Sequence, residues 1–113
     1  MDRVRNLLFI CSLNQRRSTT AEWLFKDFES YEVKSAGTEP GARVAVTPDL
    51  IAWADLIFVM EQRHIQRLRR QFKSALSGKR LICLQIPDRH GGMSLELIKV
   101  LKERLSPYVS LPR

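Results

Sequence analysis

The chain is predicted to be a single α/β domain over residues 1–113, a parallel sheet of four strands covered by helices on both faces. Three observations carry this reading. Short apolar runs, Leu7-Leu8-Phe9-Ile10 and Leu56-Ile57-Phe58-Val59-Met60 among them, have the near-continuous hydrophobicity of strands buried on both faces. Between the runs lie stretches of helical period: Ala21, Leu24, Phe25 and Phe28 fall at i, i+3, i+4 and i+7. The two kinds alternate along the chain, as crossover helices joining parallel strands require.

Taken in order, Asn6 to Cys11 is the first strand and Arg17 to Glu29 the first helix. Tyr31 to Ser35 alternates as a second strand with Val33 inward. The loop Ala36 to Gly41 follows, punctuated by two glycines and a proline. Thr47-Pro48-Asp49 is a helix start, a capping Thr before Pro at the first helical position, and that helix ends near Trp53. Asp55 to Met60 is the third strand. Gln62 to Leu76 is the next helix, its stripe built from Ile65, Leu68, Phe72 and Leu76, with Gly78 as its stop. Arg80 to Ile86 is the fourth strand, and Cys83 within it reads as an inert buried thiol. A loop to Gly92 leads to the last helix, Met93 to Leu105, which Pro107 ends.

Composition narrows the classes of function. The length of 113 residues suits one domain, and 44% hydrophobic residues is ordinary for a globular chain. No apolar run approaches a membrane span, and the stretch after Met1 to Arg5 is short for a secretory signal. A cytoplasmic location is therefore expected. Two cysteines make no disulfide scaffold, and no Cys/His spacing suggests a metal. The net charge of +7 reads either as a soluble basic surface or as attraction for anionic partners, a phosphorylated substrate or nucleic acid alike. The basic face of the third helix, Arg63, Arg67, Arg69, Arg70 and Lys73, reads either as a solvated surface or as a docking site for such a partner. His64, just past the third strand, either rims a pocket or is an incidental surface residue.

The chemistry concentrates in Cys11-Ser12-Leu13-Asn14-Gln15-Arg16-Arg17-Ser18, between a strand end and a helix start. Ligands of open α/β sheets bind at the carboxyl ends of the strands. A loop wrapped over a helix N-terminus aims backbone N–H groups and the positive helix dipole at one spot. An anion is favoured there, a cysteine thiolate beside Arg16 and Arg17 included. Arg17 can grip two phosphate oxygens with its planar fork. Ser18 can cap the helix, and its hydroxyl can also donate to the sulfur. Asn14 suits the left-handed backbone that a tight loop needs.

Leu-Leu-Phe-Ile-Cys-Ser-Leu-Asn-Gln-Arg-Arg-Ser resembles the signature of the low-molecular-weight protein tyrosine phosphatases, in which Cys, five residues, then Arg-Ser/Thr stand near the N-terminus. Ser35-Ala36-Gly37-Thr38, Ala54 to Met60 and Ile86-Pro87-Asp88 match further segments in the right order, so the resemblance runs from about Val4 to Leu105. It implies the phosphotyrosine protein phosphatase I-like fold, with strand order 2-1-3-4. It also implies a phosphomonoesterase with Cys11, Arg17 and Asp88 as catalytic residues and no cofactor or metal. The phosphate cradle would be Ser12, Leu13, Asn14, Gln15, Arg16, Arg17 and Ser18. Asp88 would be the general acid and base; alternatively, Pro-Asp is a turn start. Ser35 would hydrogen-bond the loop Asn, or else be a turn serine. The expected substrate is a phosphotyrosine protein or a small aryl phosphate.

Three positions and one segment depart from the family pattern. Leu13 replaces a Gly, Arg16 a second cysteine and Thr19 a Pro. Arg89-His90-Gly91-Gly92 stands where Pro and aromatic residues usually line the cleft, so a phenyl ring has less to stack on. Two other readings share the fold: a phosphate- or nucleic-acid-binding protein without turnover, and an arsenate reductase. The last needs a relay of cysteines, and only Cys83 accompanies Cys11.

Overall fold

A computed structural model describes residues 4–89 and 94–111. Four strands form one parallel sheet: β1 (Asn6–Cys11), β2 (Glu32–Gly37), β3 (Leu56–Val59) and β4 (Leu81–Cys83), in the order β2-β1-β3-β4. Side chains of a strand point alternately to opposite faces, and here each face has its own core. Leu7, Phe9 and Cys11 of β1, with Leu56, Phe58 and Met60, pack against Ala21, Phe25, Leu97, Leu101 and Leu105. Leu8 and Ile10, with Ile57 and Val59, pack against Ile51, Ile65, Leu68 and Leu76. So α1 (Arg17–Leu24) and α4 (Leu95–Leu105) cover one face, and α2 (Pro48–Trp53) and α3 (Gln62–Gln71) the other. Phe9 lies in a ring stack between Phe25 and Phe58, at the centre of the first core.

Three differences from the expected boundaries affect the site. Strand β2 runs two residues past Ser35, because Ala36 and Gly37 still pair with Ile10 and Cys11. The loop therefore starts at Thr38, and Ser35 is a mid-strand residue rather than a turn serine. Strand β4 is shorter than expected. Leu84 and Ile86 go on donating to the carbonyls of Val59 and Met60, but Gln85 takes a left-handed conformation (φ 56°) and bends the chain. That bend brings the carbonyl of Ile86 and the side chain of Asp88 to β1's loop. Cys83 is only half buried.

The helices are trimmed at their ends. After Leu24 the N–H groups of Phe25, Lys26 and Phe28 bond three residues back, so α1 tightens into turns while Phe25 stays in the core. Past Gln71, α3 gives way to turns that close at Gly78 (φ 76°), yet Leu76 remains buried as the stripe predicts. Ser94 caps α4 through Leu97 N–H. The expected start at Met93 lies outside the described residues.

Candidate active site

Cys11 ends β1 on the face that α1 covers, and the chain then loops over the start of that helix. The carbonyls of Cys11, Ser12 and Leu13 accept the N–H groups of Thr38, Glu39 and Arg43, at 3.0 Å each. The carbonyl of Asn14 accepts Arg43 Nε at 3.2 Å. In a trans peptide the next N–H points opposite to its carbonyl. With these four carbonyls tied outward to the 38–43 loop, the N–H groups of Ser12, Leu13, Asn14 and Gln15 point to the other side. Successive N–H groups turned inward make an anion-binding nest. Asn14 supplies the left-handed turn (φ 57°).

Gly37 makes this stapling possible by its size. A Cβ there would lie 2.5 Å from the Ser12 carbonyl oxygen and 2.7 Å from Ala42 Cβ. Only a residue without a side chain lets the two loops approach this closely.

The helix start is left open. The N-cap of α1 is Arg16, with no side-chain cap, so Ser18 does not cap as one reading of the sequence expected. It is fully buried instead, between Asn14 and Cys11. Asn14 Nδ2 donates to Ser18 Oγ at 2.7 Å, which leaves the Ser18 proton for Cys11 Sγ at 3.0 Å. An uncapped helix N-terminus keeps its orphan N–H groups for an incoming anion.

Arg17 is buried, 2% exposed, and is oriented by two acceptors. Its Nη1 donates to Glu61 Oε2 at 2.7 Å and to the Ile86 carbonyl at 2.8 Å. Both Nη1 protons are then used, and the Nε–Nη2 edge remains as a fork. Asp88 Oδ1 lies 3.9 Å from Arg17 Nε and 3.9 Å from Arg16 Nη1. Burial acts to raise the Glu61 carboxyl, but hydrogen bonds and charge from Arg63 and Arg17 outweigh it and hold it below the usual range.

Cys11, Ser12, Leu13, Gln15, Arg16, Arg17 and Asp88 line one cavity of about 110 Å³. That is well under the ~300–1,000 Å³ of sites that enclose a whole ligand. It suits a small anionic group whose remainder stays in solvent. Among the described residues no aromatic side chain lines it, and no cluster of three or more His, Cys, Asp or Glu is placed to hold a metal. His90, Gly91 and Gly92 lie outside the described residues.

Two expected positions are corrected. The Ser35 hydroxyl donates to Glu22, not to Asn14. His64 is no incidental surface residue: it is 1% exposed, and Ser12 Oγ lies 3.0 Å from its Nε2. Its Nδ1 accepts the Glu61 N–H at 3.0 Å. Burial, then the charges of Arg17 and Arg63, push its imidazole down to about 4. Sequence reasoning missed Glu61 altogether. The available signal was position: both residues stand directly after β3, at the sheet edge that holds Cys11.

The basic helix is partly spent within the molecule. Arg63 pairs with Glu61, and Arg67 pairs with Glu39 through its Nε and Nη2. Glu39 is held below its usual range chiefly by the Arg67 hydrogen bond. Arg69, Arg70 and Lys73 are exposed.

A thiol at the floor of a nest of N–H donors, beside a buried arginine fork, can hold a small tetrahedral anion against a sulfur. That arrangement sits on the fold of the low-molecular-weight protein tyrosine phosphatases. The tyrosine phosphatase Wzb from Escherichia coli K30, solved with phosphate, is 21% identical, over 94% of this chain and 96% of that one, with a TM-score of 0.72. The YwlE arginine phosphatase from Geobacillus stearothermophilus is 22% identical over 91% and 86% of the two chains, with a TM-score of 0.67. SP-PTP, a low-molecular-weight protein tyrosine phosphatase from Streptococcus pyogenes, is 17% identical over 94% of each, with a TM-score of 0.72. The likeness is one of fold. No family model and no curated protein matches the chain in sequence. Among the described residues, no helix is long and apolar enough to cross a membrane.

Proposed function

We propose that the chain is a cysteine-dependent phosphomonoesterase of the protein tyrosine phosphatase type. The observation that carries this is Cys11 Sγ, 3.0 Å from the Ser18 hydroxyl at the floor of the phosphate-sized cavity that Arg17 and the loop share. The Cys11 thiolate attacks phosphorus in line with the ester oxygen, forming an S–P bond as the P–O bond breaks. The Arg17 fork and the N–H groups of residues 12–18 hold the equatorial oxygens, whose charge is spread in the transition state. Protonated Asp88 gives its proton to the leaving oxygen. Ionised Asp88 then takes a proton from water, the hydroxide attacks phosphorus, and the S–P bond breaks to return the thiolate and release phosphate. Ser18 donates to the sulfur in both steps, which makes it a better leaving group in the second. No metal or organic cofactor enters this cycle.

The substrate is a phosphotyrosine protein or a small aryl phosphate, with only its phosphoryl end enclosed. An anionic segment of it, or another anionic partner, would meet Arg70 and Lys73 before Arg63 and Arg67, which already carry carboxylates. Arsenate reduction has little support: Cys11 packs in the α1/α4 core and Cys83 against the α2/α3 core, on opposite faces of the sheet. The cytoplasm suits both the free thiols and the chemistry.

The test is hydrolysis of para-nitrophenyl phosphate in chelator, from mildly acidic to neutral pH, by wild type and Cys11→Ser. Metal-independent turnover that Cys11→Ser abolishes is expected. Phosphate binding without turnover in the wild type would replace this reading by a non-catalytic phosphate-binding protein.

A further inference from the structure

The mechanism above uses the backbone of Ser12 and leaves its side chain, and His64, without a role. His64 is fully buried at the first turn of α3, within the influence of two arginines, Arg17 and Arg63, and two carboxylates, Glu61 and Glu39. Its Nδ1 accepts the N–H of Glu61, so the single proton of the neutral ring sits on Nε2. Nε2 is 3.0 Å from Ser12 Oγ, and the ring nitrogen must be the donor of that bond. The Ser12 oxygen is thereby an acceptor toward His64, and its own proton is free. Ser12 Oγ has no other hydrogen-bond partner among the described residues, and Ser12 lines the cavity next to Cys11.

We propose that the Ser12 hydroxyl is a further donor to a phosphoryl oxygen in this pocket, and that His64 is the positioning residue that turns its proton inward. The inference rests on the phosphomonoesterase reading for its catalytic consequences, though not for phosphate binding itself. A serine alone could turn its proton in any direction. One facing a fixed N–H donor cannot turn it toward that donor, so fewer orientations remain and the cavity side is favoured before the anion arrives. The neutral ring matters, because the Glu61 N–H occupies the lone pair that a second proton would need. The tautomer is thus set by the backbone of the same residue whose carboxylate orients Arg17. One helix start fixes both donors.

The experiment measures inorganic phosphate binding, by calorimetry and as competitive inhibition of para-nitrophenyl phosphate hydrolysis, in four single variants and one double variant. Ser12→Ala is expected to weaken phosphate binding and raise KM by about three- to tenfold, the range of one neutral hydrogen bond, with kcat little changed. Ser12→Thr, which keeps the hydroxyl, is expected to stay within about twofold of wild type. His64→Leu is expected to weaken phosphate binding in the wild-type background and to add nothing in the Ser12→Ala background. His64→Gln, whose amide offers an acceptor to Glu61 and a donor to Ser12, is expected to recover most of the His64→Leu loss. Phosphate binding unchanged in Ser12→Ala overturns the donor role. A His64→Leu loss equal in both backgrounds overturns the positioning role. If wild type binds phosphate but does not turn over, the enzyme reading fails while the calorimetric comparison still decides this one.

Discussion

Residues 11–18 and residues 86–88 face each other across the same cavity, and they are held in different ways. On the cysteine side, four consecutive carbonyls are tied to the 38–43 loop, Ser18 is locked between Asn14 and Cys11, and Arg17 is anchored by Glu61 and Ile86. On the acid side, Asp88 is 45% exposed, and its nearest charges are Arg16 and Arg17 at 3.9 Å. Binding a trianionic transition state repays rigid donors, because they cost no reorganisation as charge develops. Proton transfer to a leaving group must admit substrates of different shape and let product out. In the proposed mechanism the pocket is thus rigid where charge is held and open where the proton would move, and mutations on the two sides should differ in kind.

Beyond loss of the nucleophile itself, the largest effect is expected from Arg17→Lys. One ammonium cannot both keep the tether to Glu61 and Ile86 and present a two-pronged edge to phosphate. kcat/KM for para-nitrophenyl phosphate should fall by about 10²–10³-fold, the scale of losing a transition-state donor. Activity within a few-fold of wild type would hand the binding role to Arg16, whose side chain is 59% exposed at the mouth.

The rigid side also has a signature in stability. Unfolded, His64 titrates near 6.5; folded, it is pushed down to about 4. Between those values the unfolded chain binds a proton that the folded chain refuses, so stability falls as pH drops through that window. Above 6.5 and below 4 this residue adds no slope. The drop is about 3 kcal/mol across the window. Glu39, Asp55 and Glu61, all held low in the fold, shed stability in the same direction but only near and below their ordinary carboxylate range. Denaturant unfolding of wild type and His64→Gln at pH 7, 6 and 5 separates them. The variant should flatten the slope between 6.5 and 5, and parallel curves would mean that the imidazole charges freely in the fold.

On the open side, Asp88→Ala should lose about 10²-fold on phenyl phosphate, a poor leaving group. It should lose much less on para-nitrophenyl phosphate, whose phenolate needs little protonation. Phosphate affinity should barely change, in contrast to Arg17→Lys. Equal losses on both esters would move the acid elsewhere, His90 being next in the chain.

How much of this was legible in the sequence follows the same division. Strand β1 and helix α2 were legible to the residue, since a continuous apolar run and a Thr-Pro start are local signals. So was the placement of the Cys11 to Ser18 loop between a strand end and a helix start, although Ser18 turned out not to cap that helix. The partners of that loop were not legible. Glu61, His64 and Glu22 act on Arg17, Ser12 and Ser35 at sequence separations of 44, 52 and 13. Only the strand register brings them together. His64 is the sharpest case: by composition it sits in a basic amphipathic helix, and it is buried because α3 begins against the loop. The end of β4 was hidden for a different reason. Nothing in Leu-Gln-Ile marks Gln85 as left-handed, and that bend is what delivers Ile86 and Asp88.

Gly37 joins the two kinds of information, and its substitution gives the smallest of these effects. In the sequence it is one of two glycines in a loop, which suggests conformational freedom. In the fold it belongs to β2, and space is what it provides: an added Cβ would also lie 3.0 Å from the Asn14 N. Gly37→Ala must push the 38–43 loop away from residues 12–14, lengthening the bonds that turn their carbonyls outward. The cost in stability should be about 1–3 kcal/mol, as for overpacking elsewhere. More diagnostic is where the activity goes. If the cradle owes its shape to this staple, phosphate affinity falls together with kcat on every ester, and the leaving-group dependence set by Asp88 is unchanged. A Gly37→Ala protein that loses stability but binds phosphate as wild type does would show that the N–H nest holds its shape without the second loop.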